Sequence, residues 1–499
     1  MTTRGNTRSD RPRRVLSALL ALTASAATLA LTGPAAAAPS DPSDPIALAP
    51  PISWGPCPKS EPPMPDPNPQ TECATVRVPV DWSKPNGPKT GIFVARLRAA
   101  DPSRRIGVLL SNPGGPGAPG ADDALEAGMP GRSTYTPEML QRFDVVGFDP
   151  RGTQHSQDAR CDESIAGEHT ARPRDAAAFE RMRATNARLA ASCLRLTGPL
   201  AAHMDTESVA RDMDAIRAAL GERRISYLGH SYGTLLGERY ARLFPGRLRA
   251  LALDSVVDPA RPDAERFLTD SSTTVEAAFE RLAAWCRTAA ACPLKDRDLS
   301  GVAADLFARA DAGTLRVPGP EGPTETAADA DGLSAFLTFL AWQWDPERAT
   351  RQLAAVHSGR GEVYWPDYQG PGRDMQLVLC RDHDLRIRDF AEYRAIRERV
   401  AKAAPHVRVS TQALDIVLGC QGWTVPPKAP PARVRGDLPP VLVANAALDL
   451  RTPVPGARRM AQSFPKATLL TPDVVGHWVY ALDPGTKAAV DAYLTDPRG

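Results

Sequence analysis

The chain has 499 residues, 42% hydrophobic and 24% charged, with a formal net charge of +2. Such a chain buries a large core, and its length alone suggests two or three domains. Taking away the first 38 residues removes five Arg and one Asp and leaves −2, with no arginine cluster behind, which argues against nucleic acid as a partner.

In chain order, Arg4, Arg8, Arg11, Arg13 and Arg14 precede an apolar, small-residue run from Val15 to Leu31, and Pro34-Ala35-Ala36-Ala37-Ala38 offers small-residue cleavage sites. This predicts a signal peptide over 1–38 that is removed on export, with no stable membrane anchor. Arg13-Arg14 hints at the twin-arginine route. Eight cysteines fit an oxidising compartment. Pairing sequence neighbours gives Cys57 with Cys73, Cys161 with Cys193, Cys286 with Cys292 and Cys380 with Cys420, one connectivity among many. No C-x-x-C or H-x-x-x-H spacing calls for a metal, and no cofactor is expected.

Proline-rich stretches from Pro39 to Pro69 and Pro426 to Pro440 mark an irregular segment and a linker. Between 74 and 258, short β-prone runs alternate with helical ones. The strands are expected at Val76–Val80, Ile92–Leu97, Val108–Ser111, Val145–Phe148, Ile225–Leu228 and Leu251–Leu253, with a helix over Thr206–Leu220. That is an α/β chain with a mostly parallel sheet. From Pro259 to about Pro430 the period becomes helical: Phe267, Val275, Phe279, Leu282 and Trp285 share one face, and Leu333, Phe336, Leu337, Phe339, Leu340 and Trp342 lie in another helix. Alternation resumes at Val441–Ala444, followed by a helix over about Pro455–Phe464 and a strand over Ala467–Leu470. The expected organisation is a discontinuous core, 39–258 with 436–499, and a helical cap and linker over 259–435 inserted after the sixth strand.

Candidate chemistry sits at the strand ends. Gly229-His230-Ser231-Tyr232-Gly233 lies where a buried strand turns into a helix, which makes Ser231 a candidate nucleophile held on a strained turn. A serine hydroxyl needs a base, an orienting acid and oxyanion donors. Asp449 follows the strand Val441–Ala444, and His477 follows the strand ending at Leu470, so the order is Ser, acid, His. Asp254 and Asp258, after Leu251–Leu253, are alternative acids. The loop Pro113-Gly114-Gly115-Pro116-Gly117 fits an oxyanion hole completed by the residue after the nucleophile. Phe148-Asp149-Pro150-Arg151-Gly152 reads as scaffold.

Together with Trp54-Gly55-Pro56-Cys57, Val78-Pro79-Val80-Asp81-Trp82, Asn112 to Gly117, Cys420-Gln421-Gly422-Trp423 and Gly476-His477, these motifs resemble the α/β-hydrolase family of secreted bacterial tripeptidyl aminopeptidases and their proline-iminopeptidase-like relatives. The resemblance implies an α/β-hydrolase fold, a Ser231, Asp449 and His477 triad, oxyanion donors at the amides of Gly115 and Tyr232, and release of short peptides from free N-termini. The chain departs from it at Thr153-Gln154-His155 and at Pro113, where iminopeptidase-like relatives carry His. Binding a substrate ammonium calls for a carboxylate in the cap or its rim. Asp382 and Asp384, beside Cys380, are the candidates, with Glu362 and Asp367 as alternatives in an aromatic segment. An esterase or lipase with the same triad is the rival enzyme reading. A non-catalytic binding module on this fold is expected to carry a broken triad, and these candidates are intact.

Overall fold

Nine short β-prone runs pair into one sheet: β1 (Gly55–Pro56), β2 (Thr71–Pro79), β3 (Lys89–Leu97), β4 (Gly107–Asn112), β5 (Phe143–Phe148), β6 (Ile225–His230), β7 (Leu248–Asp254), β8 (Val441–Ala444) and β9 (Ala467–Leu470). The structure, a computed structural model, describes residues 52–59, 66–166, 172–260, 262–318, 327–365, 373–423 and 433–498. The predicted signal peptide, much of both proline-rich stretches and Asp367 lie outside those residues.

The strand order is β1-β2-β3-β5-β4-β6-β7-β8-β9. β1, β2 and β3 pair antiparallel and β3 joins β5 antiparallel, whereas every pair from β5 through β9 is parallel. The parallel run reflects its sequence. β4, β5 and β6 are buried at every position, as expected when helices cover both faces. Alternate residues serve opposite faces: Leu110, Tyr227, Leu251 and Val443 pack into one core cluster, and Leu109, Leu228, Ala252 and Leu442 into another. The two-residue β1 was not expected from the sequence, so the insertion follows the seventh strand of the sheet rather than the sixth. The helix Ala176–Thr197 was also unanticipated.

Between β7 and β8 the described residues hold seven helices, Ala264–Thr288, Leu299–Asp311, Ala330–Gln343, Pro346–Ser358, Arg373–Asp382, Phe390–Ala403 and Thr411–Gly419. The first four share a core around Val275, Phe279, Leu306, Phe336 and Leu340 that also takes in Leu450 and Val475 from the returning chain, whereas the last three send Leu377, Ile396 and Leu414 into the core beneath the sheet. The inserted helices therefore hold residues close to Asp449 and His477. All four disulfides join sequence neighbours: Cys57–Cys73, Cys161–Cys193, Cys286–Cys292 and Cys380–Cys420. No helix among the described residues is long and apolar enough to cross a membrane.

The turn after β5 is scaffold. Arg151 is buried and grips both oxygens of buried Asp212 at 2.6 and 2.7 Å, while donating to the carbonyls of Pro79, Val80 and His203. Arg151→Ala should strand the Asp212 charge in the core and cost about 3–5 kcal/mol of stability. Chemical denaturation measures this, and a loss under about 1 kcal/mol would remove the pair from the scaffold.

Candidate active site

β6 ends at His230, the next helix begins at Gly233, and Ser231 between them has φ of +53°. A non-glycine residue in the left-handed region marks stored strain, here aiming a serine off the strand end. Close packing enforces the turn. A side chain on Gly233 would sit 2.5 Å from the Asn112 carbonyl, and one on Gly114 would sit 2.8 Å from Ser231 Cβ and 2.9 Å from the Tyr232 amide. The glycine-rich loop after β4 thus lies directly on the serine turn, steadied by the Gly114 N–H donating to Asn112 Oδ1 at 3.0 Å. Gly115, Ser231 and Tyr232 consequently line the same open cleft.

Because β6, β8 and β9 run parallel, the loops that follow them open at one edge of the sheet, where α/β sheets place ligands. His477 Nδ1 lies 3.0 Å from both oxygens of Asp449. Asp449 is fully buried and its Oδ1 accepts the N–H groups of Arg451 at 3.0 Å and Thr452 at 2.9 Å. Burial pushes its carboxyl up, but the adjacent His477 and the Thr452 donors outweigh that and hold it below the usual carboxylate range. Thr452 Oγ1 also approaches His477 Nδ1 at 3.3 Å. Arg451, which lines the cleft, stacks over Trp342 of the cap at 3.9 Å, tying the Asp449 loop to the cap.

The alternative acids are engaged elsewhere. Asp254 Oδ2 is 2.8 Å from His230 Nδ1, with both residues buried, and Asp258 is gripped by Arg459 at 2.6–3.0 Å. Neither has a hydrogen bond to His477 among the described residues.

The carboxylates proposed to bind an ammonium separate. Asp384 forms a bidentate pair with Arg386 at 2.6 Å, half exposed, and that bond holds its carboxyl below the usual range. Asp382 is buried and accepts from Thr206 Oγ1, which lies 2.7 Å from the Tyr232 hydroxyl. Neither lines the cleft, and Glu362 is exposed. The carboxylates that do line it are Asp258 and Asp270, with Arg459 between them. Arg459 meets both oxygens of Asp258 but only Oδ2 of Asp270, at 2.9 Å. Sequence reasoning passed over Asp270 and Arg459, since nothing local links a helix in the cap to one 189 residues later. The rest of the wall is mainly apolar, including Val257, Phe267, Met375, Leu379, Ile416 and Leu450.

Glu276, Glu280 and His406 bring potential metal-ligand atoms within 4.8 Å of one another in the cap. Glu276 is already spent on the N–H groups of His406 and Val407, at 3.0 and 3.1 Å, and none of the three lines the cleft.

Comparison with known proteins agrees with this architecture. Residues 108–484 match the family model described as alpha/beta hydrolase fold. The chain is 30% identical to the serine protease Hip1 of Mycobacterium tuberculosis over 91% of each chain. It is 30% identical to a tripeptidyl aminopeptidase of Streptomyces lividans, over 86% of this chain and 82% of that one, and to carboxylesterase B of Mycobacterium tuberculosis, over 81% and 80%. With the sheet and the family match in agreement, the chain belongs to the α/β-hydrolase fold family, among its serine hydrolases.

Proposed function

We propose that the protein is a secreted serine exopeptidase that cleaves peptides near their free N-termini through an acyl-enzyme. The core formed by 39–258 and 436–499 carries the chemistry, and 259–435 caps it. Ser231 attacks the scissile carbonyl, His477 takes its proton and passes it to the leaving amine, and Asp449 holds the imidazole and balances its charge. The amides of Gly115 and Tyr232 stabilise the oxyanion. The observation that carries this reading is the His477 to Asp449 contact at 3.0 Å, at the sheet edge where Ser231 lines the cleft. Four disulfides and the leader pattern of residues 1–38 support export.

The peptidase part draws support from Hip1 and the Streptomyces enzyme, and the esterase alternative from carboxylesterase B and the apolar cleft wall. The triad is indifferent to amide or ester, so the amine decides. Asp270, with one oxygen outside the grip of Arg459, is the cleft carboxylate best placed for an ammonium, and Asp382 supports the site from behind Tyr232. A desolvated ammonium–carboxylate pair contributes on the order of 2–5 kcal/mol. Acetylating the substrate N-terminus should therefore lower kcat/KM by roughly 30-fold or more. Asp270→Asn should shrink that ratio more than Asp384→Asn. Mass analysis of the exported chain and of the products from one unblocked peptide reads leader removal and product length together. Equal rates on free and acetylated peptides would favour the esterase.

A further inference from the structure

Seven non-glycine residues among those described have φ in the left-handed region, and three of them converge here: Ser231 at +53°, Ser255 at +56° and Trp478 at +71°. They adjoin or constitute the nucleophile, the end of β7 and the residue after His477. One dipeptide connects them. The carbonyl of Asp254 accepts the Ser231 N–H at 2.9 Å. The hydroxyl of Ser255 accepts the N–H of Trp478 at 2.8 Å and that of Val479 at 3.4 Å. Asp254 Oδ2 accepts the Tyr480 N–H at 3.3 Å and meets His230 Nδ1 at 2.8 Å. The indole of Trp478 lies 5.4 Å from the His230 ring, centroid to centroid. Ser255 is wholly buried, and its own N–H is tied at 2.9 Å to the carbonyl of Ala444, the last residue of β8.

We infer that Ser255 is a positioning residue for the serine chemistry: its hydroxyl fixes the loop carrying His477 to the same dipeptide whose carbonyl fixes the Ser231 turn. The inference rests on the serine reading above. Nucleophile and base arrive on loops that follow different strands, β6 and β9, which are not neighbours in the sheet. Their relative height is set by whatever both loops bind in common. Asp254-Ser255 is that common support, and three consecutive N–H groups, 478 to 480, are held by its two side chains. A loop so held resists swinging as His477 takes a proton on one side and delivers it on the other. Ser255 need not touch substrate or the reacting atoms. It acts through His477.

This predicts a specific pattern in kinetics. Ser255→Ala removes the acceptor of two N–H groups and should lower kcat about 100-fold, the effect of a displacement near 1 Å, with KM little changed. Ser255→Gly tests the same loss in a chain that adopts φ of +56° without strain, so a folding defect in the alanine variant leaves the question open to measurement. The decisive comparison repeats both substitutions in His477→Ala, scored by residual turnover of an activated ester and by a thermal melt. A residue acting through His477 should cost nothing further there. Wild-type kcat in a folded Ser255→Gly protein, a change confined to KM, or an equal loss in both backgrounds would each overturn the assignment. Full activity in Ser231→Ala would instead remove the serine reading beneath it.

Discussion

Ser231→Ala should abolish turnover to within a small residue, a loss of about 10⁶-fold in kcat, while leaving the fold intact. The substitution removes one oxygen at a turn whose geometry is set by glycines and by the loop after β4, so the strained backbone has no new reason to relax. What would remain is binding and the oxyanion stabilisation proposed for the Gly115 and Tyr232 amides. Labelling by a fluorophosphonate should vanish with activity. A variant that melts like wild type yet retains more than about a hundredth of kcat would rule out Ser231 as the nucleophile and with it the acyl-enzyme.

Asp449→Asn is expected to cost about 10⁴-fold in kcat, because an amide in that position favours the wrong histidine tautomer and offers no charge to the imidazolium. Asp254→Asn and Asp258→Asn should cost far less, since those carboxylates face His230 and Arg459. A larger loss at either would move the acid to the end of β7. The same geometry fixes the pH dependence. Asp449 is held below the ordinary carboxylate range, so it stays ionised wherever histidines titrate. A histidine base acts only after losing its proton, so kcat/KM should rise with pH as a single step. A two-proton acid limb in the profile would contradict this assignment of roles.

The serine turn, the strand before it and the positions of Asp449 and His477 were legible because each is a local pattern. A buried run such as Ile225 to Leu228 followed by glycine, serine and glycine needs no knowledge of distant residues. The sheet's parallel half was legible for the same reason, since β4 to β7 are too apolar to face water. The cleft wall was not. Asp258, Asp270 and Arg459 meet only after a cap helix folds over the sheet, and Asp382 and Asp384, chosen for proximity to Cys380, turn one inward to Thr206 and the other out to Arg386. Two residues apart in sequence, they differ completely in solvent contact, which no periodicity in that short stretch announces. The Asp254-Ser255 contacts were not legible because they join backbones that the sequence keeps far apart.

The insertion between β7 and β8 also imposes a timetable. Val256 and Asn445 are hydrogen-bonded across 189 residues, so the last two strands can join the sheet only after the longest loop in the chain has closed. The serine turn and the Asp254 carbonyl that holds it lie before the insertion, whereas Asp449 and His477 lie after it. In synthesis the proposed nucleophile therefore emerges well before the proposed acid and base. Ser231, Asp449 and His477 thus come into register only when β8 and β9 have closed onto the sheet.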